Sequence, residues 1–507
     1  MSAMEKTPPT GTIRSWLDRR ADEQGTDISH YFIDADPLTW GELRTEAARI
    51  ASKLSGMGLS KGDSVALMLP NTREGILCLF GVLYAGFRTA IINLVAGAEA
   101  MGYALFHSDA VVVLVGEKQV DLLTAASAAQ DIHMRVIVVG QSIVWPDNAQ
   151  SGPLPDLVAS DHAILMYTSG TTGRPKGVLH THASLLAGGW TTTLAHDLSP
   201  LDRGLCVLPI YHINGLCVTI MGPLIAGGSV VVCDKFSASR FWRVCAEQQV
   251  TWFSVVPTII SHLLHGETDP DAATKARIRF GRSASSALAV ETQLAFETRF
   301  GIPIVETMGL TETAAQILSN PLPPGLRKIG SPGKAYGNEV VILSDQQEPL
   351  GADIEGEIAI RGPNVMLEYY KNPEATQATF TDSGWLRTGD LGKIDTEGYV
   401  FVTGRLKELI IKGGENIAPR EVDEVLYTHA DVVEAAAFAR PCTSYGERVE
   451  AAVKLRDGAN VAQSELIALC LEKLGKFKCP DVIHILDDLP KGPSGKIQRL
   501  RLADMTA

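Results

Sequence analysis

The chain is predicted to be α/β. A large body of wrapped parallel sheets comes first, then a small β subdomain, then a small α+β domain. Three observations predict this. Up to about residue 310, short apolar runs suited to strands alternate with helical stretches, the pattern of parallel strands crossed by helices on both sheet faces. From Gly330 the texture changes to short alternating strands separated by turn residues. Beyond Gly404 a compact stretch of mixed strands and helices has the size of a domain of its own. At 507 residues the chain is too long for one ordinary core. The expected division is 1–404 for the large part, with the β subdomain at about 330–404, and 405–507 for the C-terminal domain.

In order, 12–24 is read as a first helix and 31–33 as a short strand. Thr39-Trp40-Gly41-Glu42 has the form of a capping box opening a helix to about 57. Strands are expected at 65–69, 89–92, 111–115 and 135–139, with helices at 73–85, 96–107 and 120–128. Residues 145–157, rich in Pro, Asn, Ser and Gly, read as a connecting loop. Strands follow at 163–167, 206–209, 229–233, 252–256, 278–283 and 304–307, with a helix from about 184, an apolar helix at 217–226 and another helix at 240–248. The β subdomain is expected to use 339–343, 356–361 and 399–403. The last domain should hold helices at 419–428 and 462–474 and strands at 432–439, 450–455 and 482–486.

Thr168-Ser169-Gly170-Thr171-Thr172-Gly173-Arg174-Pro175-Lys176-Gly177 follows the buried run Ala163–Tyr167. Glycines let successive backbone N–H groups turn into one concavity, hydroxyls add donors, and Lys176 adds charge, so the loop suits a polyphosphate. It lacks the Gly-Lys-Ser/Thr of a P-loop.

The net charge of −13 argues against a general nucleic-acid binder and against binding to anionic membrane surfaces. The eight cysteines show no Cys-x-x-Cys pair and no metal-ligand spacing with His, and read as buried thiols in a reducing compartment. Neither a signal peptide nor a run of transmembrane length is found, so a cytoplasmic location without integral membrane association is expected. Monomer and homodimer both remain open.

Four stretches stand in order: 168–177; Thr307-Met308-Gly309-Leu310-Thr311-Glu312-Thr313; Gly384-Trp385-Leu386-Arg387-Thr388-Gly389-Asp390; and Gly404-Arg405 with the later Pro493-Ser494-Gly495-Lys496. With His212, they resemble the adenylate-forming superfamily of acyl-CoA ligases, peptide-synthetase adenylation domains and beetle luciferases. The resemblance covers about residues 12–503. It implies an AMP-forming acid–thiol ligase using ATP, Mg²⁺ and coenzyme A. Thr168, Ser169, Gly170, Thr171, Thr172, Gly173 and Lys176 would hold the β- and γ-phosphates. Thr311 would contact the α-phosphate, and Glu312 would help hold Mg²⁺. Asp390 would bind the ribose, aided by Arg405, and Glu306, Thr307 and Met308 would belong to the ATP site. Lys496 would bridge carboxylate and α-phosphate, so Lys496, Glu312, Thr311 and His212 form the expected catalytic set. The resemblance also implies that the small C-terminal α+β domain is mobile: Lys407 matches its hinge, and Gly413-Gly414-Glu415 the turn that enters the site for the thiol step. Met308 departs from the pattern, since most relatives carry there a tyrosine that stacks on adenine.

The same resemblance puts His212, Asn214, Arg282, Ser283, Ser285 and Gly309 in the acyl pocket. Arg282 falls where phenylpropanoid ligases carry a methionine. A guanidinium in a pocket calls for an anionic partner. Arg-Ser-Ala-Ser at 282–285, 236–242 and Asn320-Pro321-Leu322-Pro323 look most like the oxalate–CoA ligase branch. The expected substrate is therefore a small acid with a second anionic group, such as oxalate, malonate or a sulfonated acid. The alternatives are a medium-chain or aryl acid, with Arg282 paired structurally to an acid such as Glu306, or a stand-alone adenylation enzyme that loads a carrier protein.

Overall fold

The computed structural model describes residues 7–130, 132–147, 149–168, 175–492 and 496–506. Its architecture is α/β, with a large part built on two mainly parallel sheets and a small C-terminal part. In the first sheet, Arg135–Val139, Ala110–Gly116, Ser64–Met68, Arg88–Ile91 and His162–Thr168 run parallel as neighbours. Lys176–Thr181 then folds back antiparallel on His162–Thr168. The second carries Ile28–Phe32, Ser229–Val232, Arg203–Cys206, Trp252–Val255, Phe280–Ser283 and Ile304–Leu310 in parallel order, closed by antiparallel Ala315–Ser319. Strands buried on both faces read as near-continuous apolar runs, as Val65-Ala66-Leu67-Met68 does in the fully buried Ser64–Met68.

Helices packed between the two sheets create the largest core, to which Leu17, Trp40, Leu43, Phe80 and Leu185 contribute. Asn71 ties the sheets at their carboxyl ends. Its side-chain amide donates to Leu208 O (2.9 Å) and Cys233 O (3.2 Å), and its Oδ1 accepts from Ile210 N (3.0 Å). This fixes the turn that leads to His212.

Glu339–Leu343, Gly356–Arg361, Leu386–Ile394 and Val400–Arg405 form an antiparallel sheet of their own. The C-terminal part packs the helices Pro419–Tyr427 and Gln463–Lys478 on a sheet whose longest strands are Val432–Cys442 and Gly446–Leu455.

Three local expectations need correction. The strand read at 206–209 lies at Arg203–Cys206, and the chain turns at 208–212. The apolar run read as one α-helix at 217–226 begins earlier, as a π-helix over Asn214–Met221, and only Gly222–Ala226 is α-helical. An apolar run cannot distinguish the two, because both bury every side chain here. Lys176, read as part of the loop, is the first residue of the strand Lys176–Thr181.

Candidate active site

The carboxyl ends of the second sheet, the hairpin Leu386–Arg405 and the C-terminal part meet at one cleft. Its walls include Ser285, Glu306, Thr307, Met308, Gly309, Asp390, Arg405 and Lys496. Strand register explains part of this. Leu386–Ile394 and Val400–Arg405 pair with Asp390 opposite Arg405, and Arg405 Nε meets Asp390 Oδ1 at 2.5 Å. The Asp390 side chain is almost fully buried, so its carboxylate is held with a charged hydrogen bond already made.

Met308 and Gly309 sit where the strand Ile304–Leu310 shifts register against Ala315–Ser319. A Cβ at Gly309 would lie 1.6 Å from Ala315 O, so only glycine fits this close approach. Thr307 Oγ1 donates to Ser283 O (3.0 Å). Ser285 adopts a φ of 76°, a left-handed conformation that a serine holds only under constraint from its surroundings.

Lys496 enters the cleft from the C-terminal part. Burial, followed by the like charge of Arg405, pushes its ammonium down to about 8, against the pull of Glu408 and Asp390. Among the described residues no carboxylate lies within 4.0 Å of it. It is therefore a cation held near anions but not neutralised by any of them.

Glu312 stands in the short turn Thr311–Thr313. His180 positions that turn: its Nε2 lies 2.7 Å from Thr311 O and its Nδ1 2.9 Å from Ser184 Oγ. Burial lowers this imidazole to about 4, so it is neutral, with Nε2–H donating and Nδ1 accepting. Tyr369 OH donates to Glu312 Oε1 (2.7 Å), and Lys176 Nζ lies 4.5 Å from the centre of the Tyr369 ring. Glu312 is also close enough to Arg405 to help raise its pKa, although burial alone would lower it. Lys176, Tyr369 and Glu312 thus form one chain of contacts, with Arg405 within electrostatic reach of Glu312. Thr168 pairs in register with Lys176 at the base of the loop. Ser169, Gly170, Thr171, Thr172 and Gly173 lie outside the described residues.

Behind Ser285 is a second, buried group. Register sets Ser254 beside Arg282, and both face the π-helix that starts at Asn214. Arg282 Nη1 donates to Asn214 Oδ1 (2.9 Å) and Ser254 Oγ (3.1 Å), while Asn214 Nδ2 donates to Ser285 Oγ (3.3 Å). Arg282 is 1% exposed, its Nε has no hydrogen-bond partner, and among the described residues it has no carboxylate partner. Burial lowers its guanidinium to about 9. The proposed structural pair with Glu306 is not formed. Glu306 Oε1 accepts from Leu288 N (3.3 Å), and its Oε2 is buried without a partner. Ser283 Oγ is likewise buried without a partner. His212 packs edge to face on Tyr211, with ring centroids 4.9 Å apart.

Lys407 is exposed in the turn Leu406–Glu408, where the chain passes to the C-terminal part. Gly413 and Gly414, with φ of 60° and 86°, make the two-residue hairpin turn between Ile410–Lys412 and Glu415–Ile417, as two successive left-handed positions require. Neither glycine lines the cleft.

Sequence reading missed Tyr369, His180 and Ser254. Tyr369 lies on a two-residue strand paired with Lys176–Thr181, a contact that no local pattern announces.

A two-sheet α/β body and a small C-terminal part thus meet at one charged cleft, into which the C-terminal part brings a lysine. Residues 17–370 match the AMP-binding enzyme family and residues 421–496 its C-terminal domain. The chain belongs to this family, and it is an AMP-forming acyl-CoA ligase. It is 44% identical over 470 residues to the sulfoacetate–CoA ligase of Cupriavidus necator, covering 92% of each chain. It is 36% identical over 509 residues to the oxalate–CoA ligase of Arabidopsis thaliana, covering 98% of each. The crystal structure of ATP-bound MatB from Rhodopseudomonas palustris superposes with a TM-score of 0.89 at 30% identity, covering 97% of this chain and 98% of that one. Among the described residues, no helix is long and apolar enough to cross a membrane.

Proposed function

We propose that this ligase activates a small carboxylic acid bearing a second anionic group and transfers it to coenzyme A. The observation that carries this reading is the buried Arg282, which has two neutral hydrogen-bond acceptors and no carboxylate among the described residues. Burying a charge costs several kcal/mol, roughly, unless a counter-ion is supplied. A sulfonate or second carboxylate reaching past Ser285 would supply it. The names of the two relatives, for sulfoacetate and for oxalate, agree with such a substrate.

The chemistry follows from the cleft. The acid's carboxylate attacks the α-phosphorus of ATP; a carboxyl–phosphate bond forms, the α–β bridge breaks and pyrophosphate leaves. Anion approaches anion, so cations must already be aimed where charge develops. Lys496 is that group, beside Asp390 and Arg405, which would hold the ribose. Lys176 and Thr168 would hold the terminal phosphates, with the backbone of 169–173. Thr311 would hold the α-phosphate. Met308 would offer adenine a polarisable apolar wall in place of an aromatic ring, beside Thr307 and Glu306. A thiol then attacks the acyl carbon and AMP leaves. His212, Asn214, Ser283, Ser285 and Gly309 would line the acid's path.

Magnesium chelated by the phosphates would offset their charge. Glu312 fits it: one oxygen is engaged by Tyr369 and the other remains for a metal, and a single carboxylate plus substrate phosphates is a common Mg²⁺ arrangement. Tyr369→Phe keeps the ring over Lys176 and removes the hydroxyl that bonds Glu312 and also meets the Thr379 side chain. Its Mg²⁺ requirement should rise about tenfold, the usual loss when a partner that orients a ligand is removed, as read from a Mg²⁺ titration of pyrophosphate exchange.

We place residues 405–507 as a domain that turns about Lys407, bringing Gly413 and Gly414 toward the cleft for the thiol step. The observed arrangement, with Lys496 inside and those glycines outside, suits the first step. Eight cysteines without a disulfide favour a cytoplasmic setting.

The test is thioester formation, followed by mass spectrometry, with ATP, Mg²⁺, coenzyme A and a panel of sulfoacetate, oxalate, malonate, hexanoate and benzoate. Thioesters of the doubly anionic acids are expected. Hexanoyl or benzoyl thioesters instead would reject the substrate assignment. Pyrophosphate exchange without any coenzyme A thioester would favour a carrier-loading enzyme.

A further inference from the structure

We propose that Arg420 and Glu424 are positioning residues: they dock the C-terminal part onto the large part in the orientation that carries Lys496 into the cleft. The inference rests on the reading that Lys496 serves adenylation.

Both residues lie on the helix Pro419–Tyr427, one turn apart, and Arg420 Nε meets Glu424 Oε1 at 3.3 Å. Each also reaches across to the large part. Arg420 Nη1 donates to Val402 O (2.8 Å) and Nη2 to Gly330 O (3.4 Å). Glu424 Oε2 accepts from Val290 N (3.4 Å), the first residue of the helix Val290–Phe300. That helix has Ala289 at its N-cap, which offers no side-chain acceptor. Its open N–H groups and positive dipole end therefore favour a carboxylate supplied from elsewhere. Two side chains thus grip three separate segments, at 290, 330 and 402. Both line the cleft that holds Lys496, and Arg420 is the cation that opposes the burial of Glu306.

The opposite attachment of this helix leads to Lys496. Asp423 accepts from Ala437 N (2.6 Å) of the domain's own sheet and pairs with Arg499 Nη2 at 2.7 Å. Arg499 also bonds Ala437 O and lies 3.4 Å from Glu408, next to the expected hinge residue. It stands three residues after Lys496. One helix therefore joins the docking contacts to the segment that carries the lysine. The docking bonds described are few and polar, as suits a contact that must form and release in each cycle.

The test uses full-length Arg420→Ala, Glu424→Ala and the double variant. ATP–pyrophosphate exchange with sulfoacetate reports the first step. Preformed enzyme-bound adenylate chased with coenzyme A reports the second. The double variant should lose at least about tenfold in exchange, with the chase unchanged or faster, which also shows that it is folded. Arg420→Lys, which keeps a donor, should recover part of the exchange. Exchange within twofold of wild type, or an equal loss in both steps, would overturn the inference. Wild-type protein that shows no exchange would overturn the functional reading and the inference with it.

Discussion

Arg282→Met is expected to lower kcat/KM for sulfoacetate by about a hundredfold or more, while the protein becomes no less stable. The two effects share one cause. Among the described residues, Arg282 is a buried cation whose hydrogen-bond partners are Asn214 and Ser254. Replacing buried charge by an apolar side chain of similar length is often neutral or stabilising by about 1–4 kcal/mol. Ser254 Oγ can still donate to Asn214 Oδ1, now 3.1 Å away, so removing the guanidinium leaves that acceptor satisfied. Loss of a charged hydrogen bond to a substrate anion costs about 2–5 kcal/mol. Thermal unfolding and steady-state kinetics on the same preparation check both halves. Lower stability together with unchanged selectivity would make Arg282 a structural residue.

Lys496→Ala should reduce pyrophosphate exchange by about a thousandfold, the scale of removing one preorganised electrostatic donor, and should spare the coenzyme A chase of preformed adenylate. The pH dependence is more specific. Burial and the nearby Arg405 put the free-enzyme ammonium at about 8. The lowered pKa means the charged form is present below pH 8 and lost above it. Since kcat/KM reports the free enzyme, kcat/KM for exchange should be flat below that value and fall about tenfold per unit above it. Lys496→Arg keeps its charge throughout this range, so its profile should lose the alkaline limb even if its rate is lower. A wild-type profile flat to pH 10 would contradict the role given to Lys496.

The fold was legible wherever local pattern decides it. The alternation of apolar runs and helices announced the parallel sheets, and Thr39 with Glu42 announced a capped helix that the structure contains. Glu306, Asp390, Arg405 and Lys496, which the family's motifs single out, line the cleft; Arg420 and Glu424, which no motif singles out, line it too. What escaped was long-range geometry. Tyr369 reaches Glu312 across 57 positions, and Arg420 reaches Gly330 across 90. Neither residue stands out in its own neighbourhood. Arg282 could be seen as a charge in an apolar strand. Only packing reveals that its partners are an amide and a hydroxyl rather than Glu306. The π-helix at Asn214 was invisible for a similar reason: a run buried on all sides carries no periodicity to read.

The most direct measurement is the ratio of kcat/KM for sulfoacetate to that for propionate, with ATP and coenzyme A, in the wild-type enzyme. Propionate matches the chain but lacks the second anion. A buried, unpaired Arg282 predicts a ratio of about a hundred or more. A ratio near one, or a preference for propionate, would contradict the claim that this pocket is built for a second negative charge.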